Sequence, residues 1–123
     1  LNELLKKGVE FFNKGYYFEA HDAFEEIWMA ERGEERMFYQ GLVQVSTGYY
    51  HFTMKNLAGA ESQLRKGLDK LSKFAPVYRG VQVSELIDAG HSSLRLFEKS
   101  RRNGVDPAEI ELSFPQIAVS DSN

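Results

Sequence analysis

The sequence predicts an all-α domain: an up-and-down bundle of about five helices built from antiparallel helical hairpins, with a short extended C-terminal tail. Three observations predict it. Apolar residues recur at i, i+3, i+4 and i+7 through most of the chain. Breaks at Asn13-Lys14-Gly15, Gly33 and Lys55-Asn56 leave only a few residues between successive patterns, which makes sequential helices antiparallel neighbours. Alternation at period two is confined to one stretch after Gly104, too short for a sheet of its own. On this reading residues 1–102 are the bundle and 103–123 a tail packed on it, with Ser120 to Asn123 frayed.

Leu1, Leu4, Leu5, Val9 and Phe12 define the first helix, which stops at Gly15. A second, from about Tyr16 to Glu31, places Tyr17, Phe24 and Trp28 on a core-facing stripe beside Ala20, Ala23 and Ile27. From Glu34 onward Phe38, Leu42, Val45, Tyr49 and Phe52 form the clearest helical pattern in the chain. The fourth helix takes Asn56 as N-cap and buries Leu57, Ala60, Leu64, Leu68 and Leu71 before Phe74-Ala75-Pro76 ends it. Tyr78 to Val83 reads as a connector, Ser84 or a neighbour as the next cap, and the fifth helix buries Leu86, Ile87, Leu94 and Phe97 on its way to about Arg102. Asp106-Pro107-Ala108-Glu109 predicts one capped helical turn, followed by a tail that turns in Ile110, Leu112 and Phe114. An echo at an offset of forty aligns Ala20 and Phe24 with Ala60 and Leu64, as stacked hairpins of tetratricopeptide type would.

Composition narrows the function classes. With 123 residues, 42% of them hydrophobic, the chain is one domain long and can bury about two-thirds of its unfolded surface without a staple. Fifteen Lys+Arg against eighteen Asp+Glu leave no basic excess for a phosphate backbone, so no nucleic-acid partner is expected. The absence of cysteine excludes disulfides and thiol chemistry and fits a reducing compartment. No apolar run approaches the roughly 20 residues of a membrane span, and Leu1 to Glu10 interleaves charges like a mature amphipathic helix, not a signal peptide. The expectation is a cytoplasmic protein without a membrane or nucleic-acid partner.

A few residues do not fit a plain bundle. His21 follows Tyr17 by four and precedes Phe24 by three, so helical spacing puts its ring on the apolar stripe, where it needs a partner such as Glu25 one turn on. Gln40, Gln44, Thr47 and His51 form a polar stripe on the third helix beside Gly41 and Gly48, whose missing side chains point to close helix packing. With the second and third helices antiparallel, His21, Glu25, Gln44 and His51 can converge into an internal polar network. The same groups suit general acid and base chemistry or a divalent ion, with His21, Glu25 and His51 as the ligands, although no metal or other cofactor is expected. Arg36 either stays in a solvated ion pair or ties two helices through Glu19, Asp22 or Glu25. Lys66, Lys70 and Lys73, and Lys99, Arg101 and Arg102, read as solvated faces, the second set complementing a helix dipole. Two functions compete: a non-catalytic helical module that binds an unknown protein partner or a second copy, and a small metal-binding or hydrolase-like enzyme using a cleft between helices two and three.

The run Phe12-Asn13-Lys14-Gly15-Tyr16-Tyr17-Phe18-Glu19-Ala20-His21-Asp22-Ala23-Phe24-Glu25-Glu26-Ile27-Trp28, with Arg36 and Phe38-Tyr39-Gln40-Gly41-Leu42-Val43-Gln44, resembles the family called domain of unknown function 309. Its pattern is a Gly-x-(Tyr/Phe)-(Phe/Tyr)-Glu-x-His-(Glu/Asp) opening, a Glu-x-x-Trp helix end, an Arg and a Gln-Gly-(Leu/Ile)-(Ile/Val)-Gln helix. Glu19, His21, Asp22, Glu25, Trp28, Arg36, Gln40, Gly41, Gln44 and His51 occupy its positions, and Asn56 with Gly59-Ala60 resembles its third block. The resemblance is dense from about residue 10 to 65 and departs at Ser46, Thr47 and Gly48, where the family often has small aliphatic residues. It implies an all-helical bundle, no established activity, and a set of polar residues that act together.

Overall fold

The computed structural model describes residues 2–120, and it is an all-α bundle. Leu1 and residues 121–123, which the sequence assigned to the first helical stripe and to the frayed end, lie outside the described residues. Helix α1 (Glu3–Asn13) is capped by Asn2, whose side chain accepts from the N–H groups of Leu4 and Leu5 at 2.8 and 3.2 Å. It is followed by α2 (Tyr17–Ala30), α3 (Glu35–Thr53), α4 (Leu57–Leu71) and α5 (Val83–Arg102). Each packs on its predecessor, and the five-residue stripe read for α3 is wholly buried.

The echo at forty residues extends to the backbone of the turns. At the end of α1 the Tyr16 N–H donates to Phe11 O at 2.9 Å and that of Gly15 to Phe12 O at 3.0 Å; at the end of α3 Asn56 donates to His51 O and Lys55 to Phe52 O, both at 2.9 Å. Both turns thus close with the paired bonds that satisfy the last carbonyls of a helix. Within each hairpin a glycine faces the same partner position: a Cβ on Gly8 would run into the Phe24 ring, and one on Gly48 would lie 3.0 Å from the Leu64 nitrogen. What repeats is the hairpin, its turn and its closest approach.

The left-handed turn position is Gly15 in the first hairpin (φ 84°) and Lys55 in the second (φ 64°). A side chain there crowds the following carbonyl, which glycine avoids. Lys55→Gly is therefore expected to stabilise the protein by about 0.5–1 kcal/mol, the strain relieved exceeding the entropy that glycine adds to the unfolded chain. Urea unfolding checks this, and an unchanged or lower midpoint would contradict it.

Beyond α4 the structure departs from the sequence reading. A 3-10 turn, Ser72–Phe74, leads into a hairpin of β1 (Val77–Tyr78) and β2 (Val81–Gln82), with Val77 opposite Gln82 and Tyr78 opposite Val81. The expected connector is thus partly strand, joined through Arg79 and Gly80, both at positive φ, as a two-residue hairpin turn requires. Helix α5 starts at Val83, not after a Ser84 cap. The Pro76 carbonyl accepts the Val83 and Ser84 N–H groups at 2.9 and 3.1 Å, so no side-chain cap is needed. Arg101 is not merely solvated: it forks onto Glu61 of α4, a carboxylate only 4% exposed, with Nη2 donating to Oε1 at 3.0 Å.

The tail opens on the predicted capped turn, Pro107–Glu109, with Asp106 Oδ1 accepting from Ala108 N at 2.9 Å. Ile110 and Leu112 are half-buried, but Phe114 is exposed, and the residues that sink into the molecule are Pro115 and Ile117. The alternation slips because Asn13 grips Ile117 on both sides, its Oδ1 accepting from the Ile117 N–H at 2.7 Å and its Nδ2 donating to the Ile117 carbonyl at 3.0 Å. Ser120 is not frayed: its N–H donates to Gly80 O at 2.8 Å while Gln82 N donates to Ala118 O at 2.9 Å, laying the tail along β2.

Candidate functional site

The polar residues read from the sequence divide into two groups on opposite flanks of α3. At about 100° per residue, Gln44 and His51 stand to one side of the buried line through Phe38, Val45 and Tyr49, and Ser46 and Tyr50 to the other. The first flank meets α4: Gln44 Oε1 accepts from Lys70 Nζ at 2.9 Å, and a Cβ on Gly59 would lie 3.0 Å from the His51 ring. The second flank meets α2, where the Phe18 ring packs 5.6 Å from that of Tyr50. His51 and Gln44 therefore do not converge with His21 and Glu25. Gln40, half-buried, lies a turn before Gln44. Gly41 and Gly48 pack against α4, with a Cβ on Gly41 reaching 2.9 Å from Leu71. Lys70 is thus engaged rather than merely solvated, and Lys73 Nζ lies 3.7 Å from the Met37 sulfur.

His21 is not turned into the core. Its side chain is 25% exposed at the edge of the α2 stripe and lies against Phe18, with ring centroids 5.8 Å apart. Spacing located the stripe but not its margin. Phe24 and Ala20 fill the centre, and the next position around falls on the rim. Its expected partner Glu25 is present, with Nε2 3.6 Å from Glu25 Oε2, and a second carboxylate flanks the other nitrogen, with Nδ1 3.1 Å from Asp22 Oδ1. One ligand atom from each of His21, Asp22 and Glu25 lies within 4.8 Å of the others. Glu19 lines a shallow groove against Lys7 and Phe11 of α1, together with Asp22 and Glu26.

Arg36 makes neither expected carboxylate contact. Its guanidinium lies 4.2 Å from the Trp28 ring centroid, and its Nε donates to the Trp28 carbonyl at 3.2 Å. The π-face and a carbonyl at the open C-terminus of α2 hold the cation. Trp28 is consequently half-buried, not central to the core. Among the described residues, Trp28 Nε1 and Ser46 Oγ are buried without a hydrogen-bond partner. The departure from the family pattern at Ser46 thus falls on an orphan hydroxyl.

Sequence reading missed a cleft of about 260 Å³ at the other end of α3, lined by Asn2, Leu5, Glu31, Glu35, Tyr39 and Arg79. Arg79, at φ 50°, pairs with Glu35 across it. Burial raises the Tyr39 hydroxyl above its ordinary range, which nearby Arg79 partly offsets. Arg79-Gly80 between Val77-Tyr78 and Val81 was the signal for this turn, a two-residue loop between β-formers.

Fold and side chains together define a bundle of helical hairpins that carries its unexplained polar residues on the outer rim of α2 and in the α3–α4 crossing. No helix among the described residues is long and apolar enough to cross a membrane. Residues 5–63 match the family described as Domain of unknown function (DUF309), the segment that holds both groups. An uncharacterized protein of Aquifex aeolicus (strain VF5) is 26% identical over 85 residues, 68% of this chain and 26% of that protein, so the chain spans about a quarter of its relative's length.

Proposed function

We propose that the chain is a non-catalytic helical module that docks a basic segment of a partner protein on the rim of α2. Helix α2 carries Glu19, Asp22, Glu25 and Glu26 and no lysine or arginine. Amid these acids Phe18 leaves half its surface open, backed by Tyr50. That exposed aromatic on a helix whose charges are all acidic, with Lys7 of α1 the cation across the neighbouring groove, carries the reading: the ring offers apolar contact area and the carboxylates select and steer a cationic partner. The enzyme reading has less support, because it needs His21, Glu25 and His51 around one cleft and they lie on different flanks.

The test is titration of the intact chain with lysine- and arginine-rich peptides, followed through Trp28 fluorescence. Binding should weaken steeply with added salt and fall at least tenfold in Phe18→Ala and in Asp22→Lys. Absence of binding at low salt, or binding indifferent to both substitutions, would overturn it. Sedimentation showing concentration-dependent dimers abolished by Phe18→Ala would replace the foreign partner with a second copy.

A further inference from the structure

We propose that the cleft at the start of α3 binds a primary alkylammonium ion, its head on Glu31, Glu35 and Tyr39 and its carbon stem on Leu5. The inference is separate from the rim of α2 and needs no partner docked there.

The charges lining the cleft do not balance. Glu31, Glu35 and Arg79 all border it, and Arg79 pairs with Glu35 through one oxygen, Oε1, so one negative charge is left over. That charge falls on Glu31, half-buried just past the last turn of α2. Neither neighbouring guanidinium answers it: Arg32 donates to the Glu31 backbone carbonyl at 3.1 Å, and Arg36 lies on the Trp28 ring. Among the described residues no cation pairs with the Glu31 carboxylate. A carboxylate partly withdrawn from water attracts an entering cation more strongly than one in bulk water does.

Tyr39 points to the same ligand independently of the charges. It is only 3% exposed and lines the cleft, and among the described residues its hydroxyl has no hydrogen-bond partner. Unlike Trp28 Nε1 and Ser46 Oγ, that hydroxyl is not sealed in, so what stays open of the side chain faces the cleft. A hydroxyl that has lost most of its water without gaining a partner is costly, and a donor entering the cleft removes that cost. Burial, opposed by Arg79 and aided by Glu31 and Glu35, raises the pKa, so the group keeps its proton and offers its oxygen lone pairs.

The Glu31 carboxylate, the second oxygen of Glu35 and the Tyr39 oxygen are three acceptors for the three N–H donors of an ammonium. A guanidinium carries five donors in a rigid fork and would leave two unmatched. Asn2 does not compete for the ligand, because its Oδ1 is taken by the Leu4 and Leu5 N–H groups. Leu5, 1% exposed, supplies an apolar wall for a methylene stem. At about 260 Å³ the cleft is smaller than those that hold drug-sized ligands, so the amine is a short one. A free alkylamine and a lysine side chain share this chemistry.

The test is titration of the intact chain with n-butylamine, followed through its backbone amide resonances. Saturable shifts should appear at Leu5, Glu31, Tyr39 and Arg79. Glu31→Gln should weaken binding at least about tenfold, and Tyr39→Phe, which removes only the hydroxyl, about 3- to 10-fold. Butyltrimethylammonium, which has the charge but no N–H donors, should bind at least about tenfold more weakly. Nα-acetyl-lysine methylamide distinguishes the sources: tighter binding than n-butylamine assigns the ammonium to a protein side chain, weaker binding to a free amine. No saturable shift at millimolar amine, binding indifferent to both substitutions, or equal binding of the quaternary ion would overturn the proposal. Phe18→Ala and Asp22→Lys, which disable the rim of α2, should leave n-butylamine binding unchanged, so failure of either reading is seen apart from the other.

Discussion

Gly67→Ala is expected to lower stability by about 2–3 kcal/mol, a fall in Tm of roughly 10 °C for a domain of this size. The added Cβ would lie 2.8 Å from the Gly41 carbonyl oxygen, the Val45 nitrogen and Val45 Cγ2. Two of these atoms are backbone of α3, so no side-chain rotation makes room, and the helices must part along their closest contact. Opposing this, alanine gains about 1 kcal/mol of helix propensity over glycine. The steric term wins because parting α3 from α4 also loosens Leu64 and Leu71, both buried against the α3 glycines at the same seam. Gly90→Ala is the comparison: its nearest contacts are the tips of the Leu68 side chain, which can rotate, so its loss should be clearly smaller. Thermal and urea unfolding of both variants measure the difference. Equal stabilities would mean that the α3–α4 seam is not as tight as the backbone contacts make it.

This seam also shows what was legible in the sequence. Gly41 and Gly48 announced a close crossing because a mid-helix glycine is costly unless something approaches it. Gly67, which meets Gly41, gave no separate signal, since nothing in one chain says which helix supplies the partner. The same limit explains the site. Periodicity placed His21 next to Tyr17 and Phe24 correctly, but it resolves a helix face only to about a residue's width, and the difference between seam and rim is one residue. Gln44 and His51 were read on the right stripe and assigned to the wrong neighbour, because α2 and α4 both pack on α3 and only the rotation of α3 decides between them. Asp22, one residue from His21 and off the stripe, was noticed as an acid but not as the group flanking Nδ1. Glu61 was missed outright: a glutamate among Leu57, Ala60 and Leu64 reads as solvated until Arg101, forty residues away, is seen beside it.

Alkaline pH is expected to unfold the protein through its buried tyrosines, beginning near pH 10. Tyr49 is fully buried, and its hydroxyl donates to Ser93 Oγ at 2.7 Å. Burial pushes its pKa up to about 12 from 10.0, against the opposing pull of the Ser93 contact. Tyr17, buried beside it with ring centroids 5.6 Å apart, is raised in the same direction by burial and by Tyr49. Above pH 10 the unfolded chain gives up these protons while the folded chain keeps them, so unfolding releases protons and stability falls as pH rises. Below pH 10 the contribution is fully present; across the two units to about pH 12 the share belonging to Tyr49 amounts to about 2–3 kcal/mol. Tyr49→Phe separates this from the general deprotonation of lysines. At pH 7 it should cost about 1 kcal/mol for the lost hydrogen bond, moderated because Ser93 Oγ keeps the Ala89 carbonyl at 3.3 Å. As pH climbs past 10 the variant lacks the titrating group, so its stability curve should decline less steeply and cross that of the parent before pH 12. Urea midpoints at half-unit intervals, with tyrosinate absorbance followed in parallel, provide the measurement. Two curves that stay parallel from pH 8 to 12 would show that the Tyr49 hydroxyl is reached by water in the folded protein, and that the aromatic cluster joining α1, α2, α3 and α5 is looser than its packing indicates.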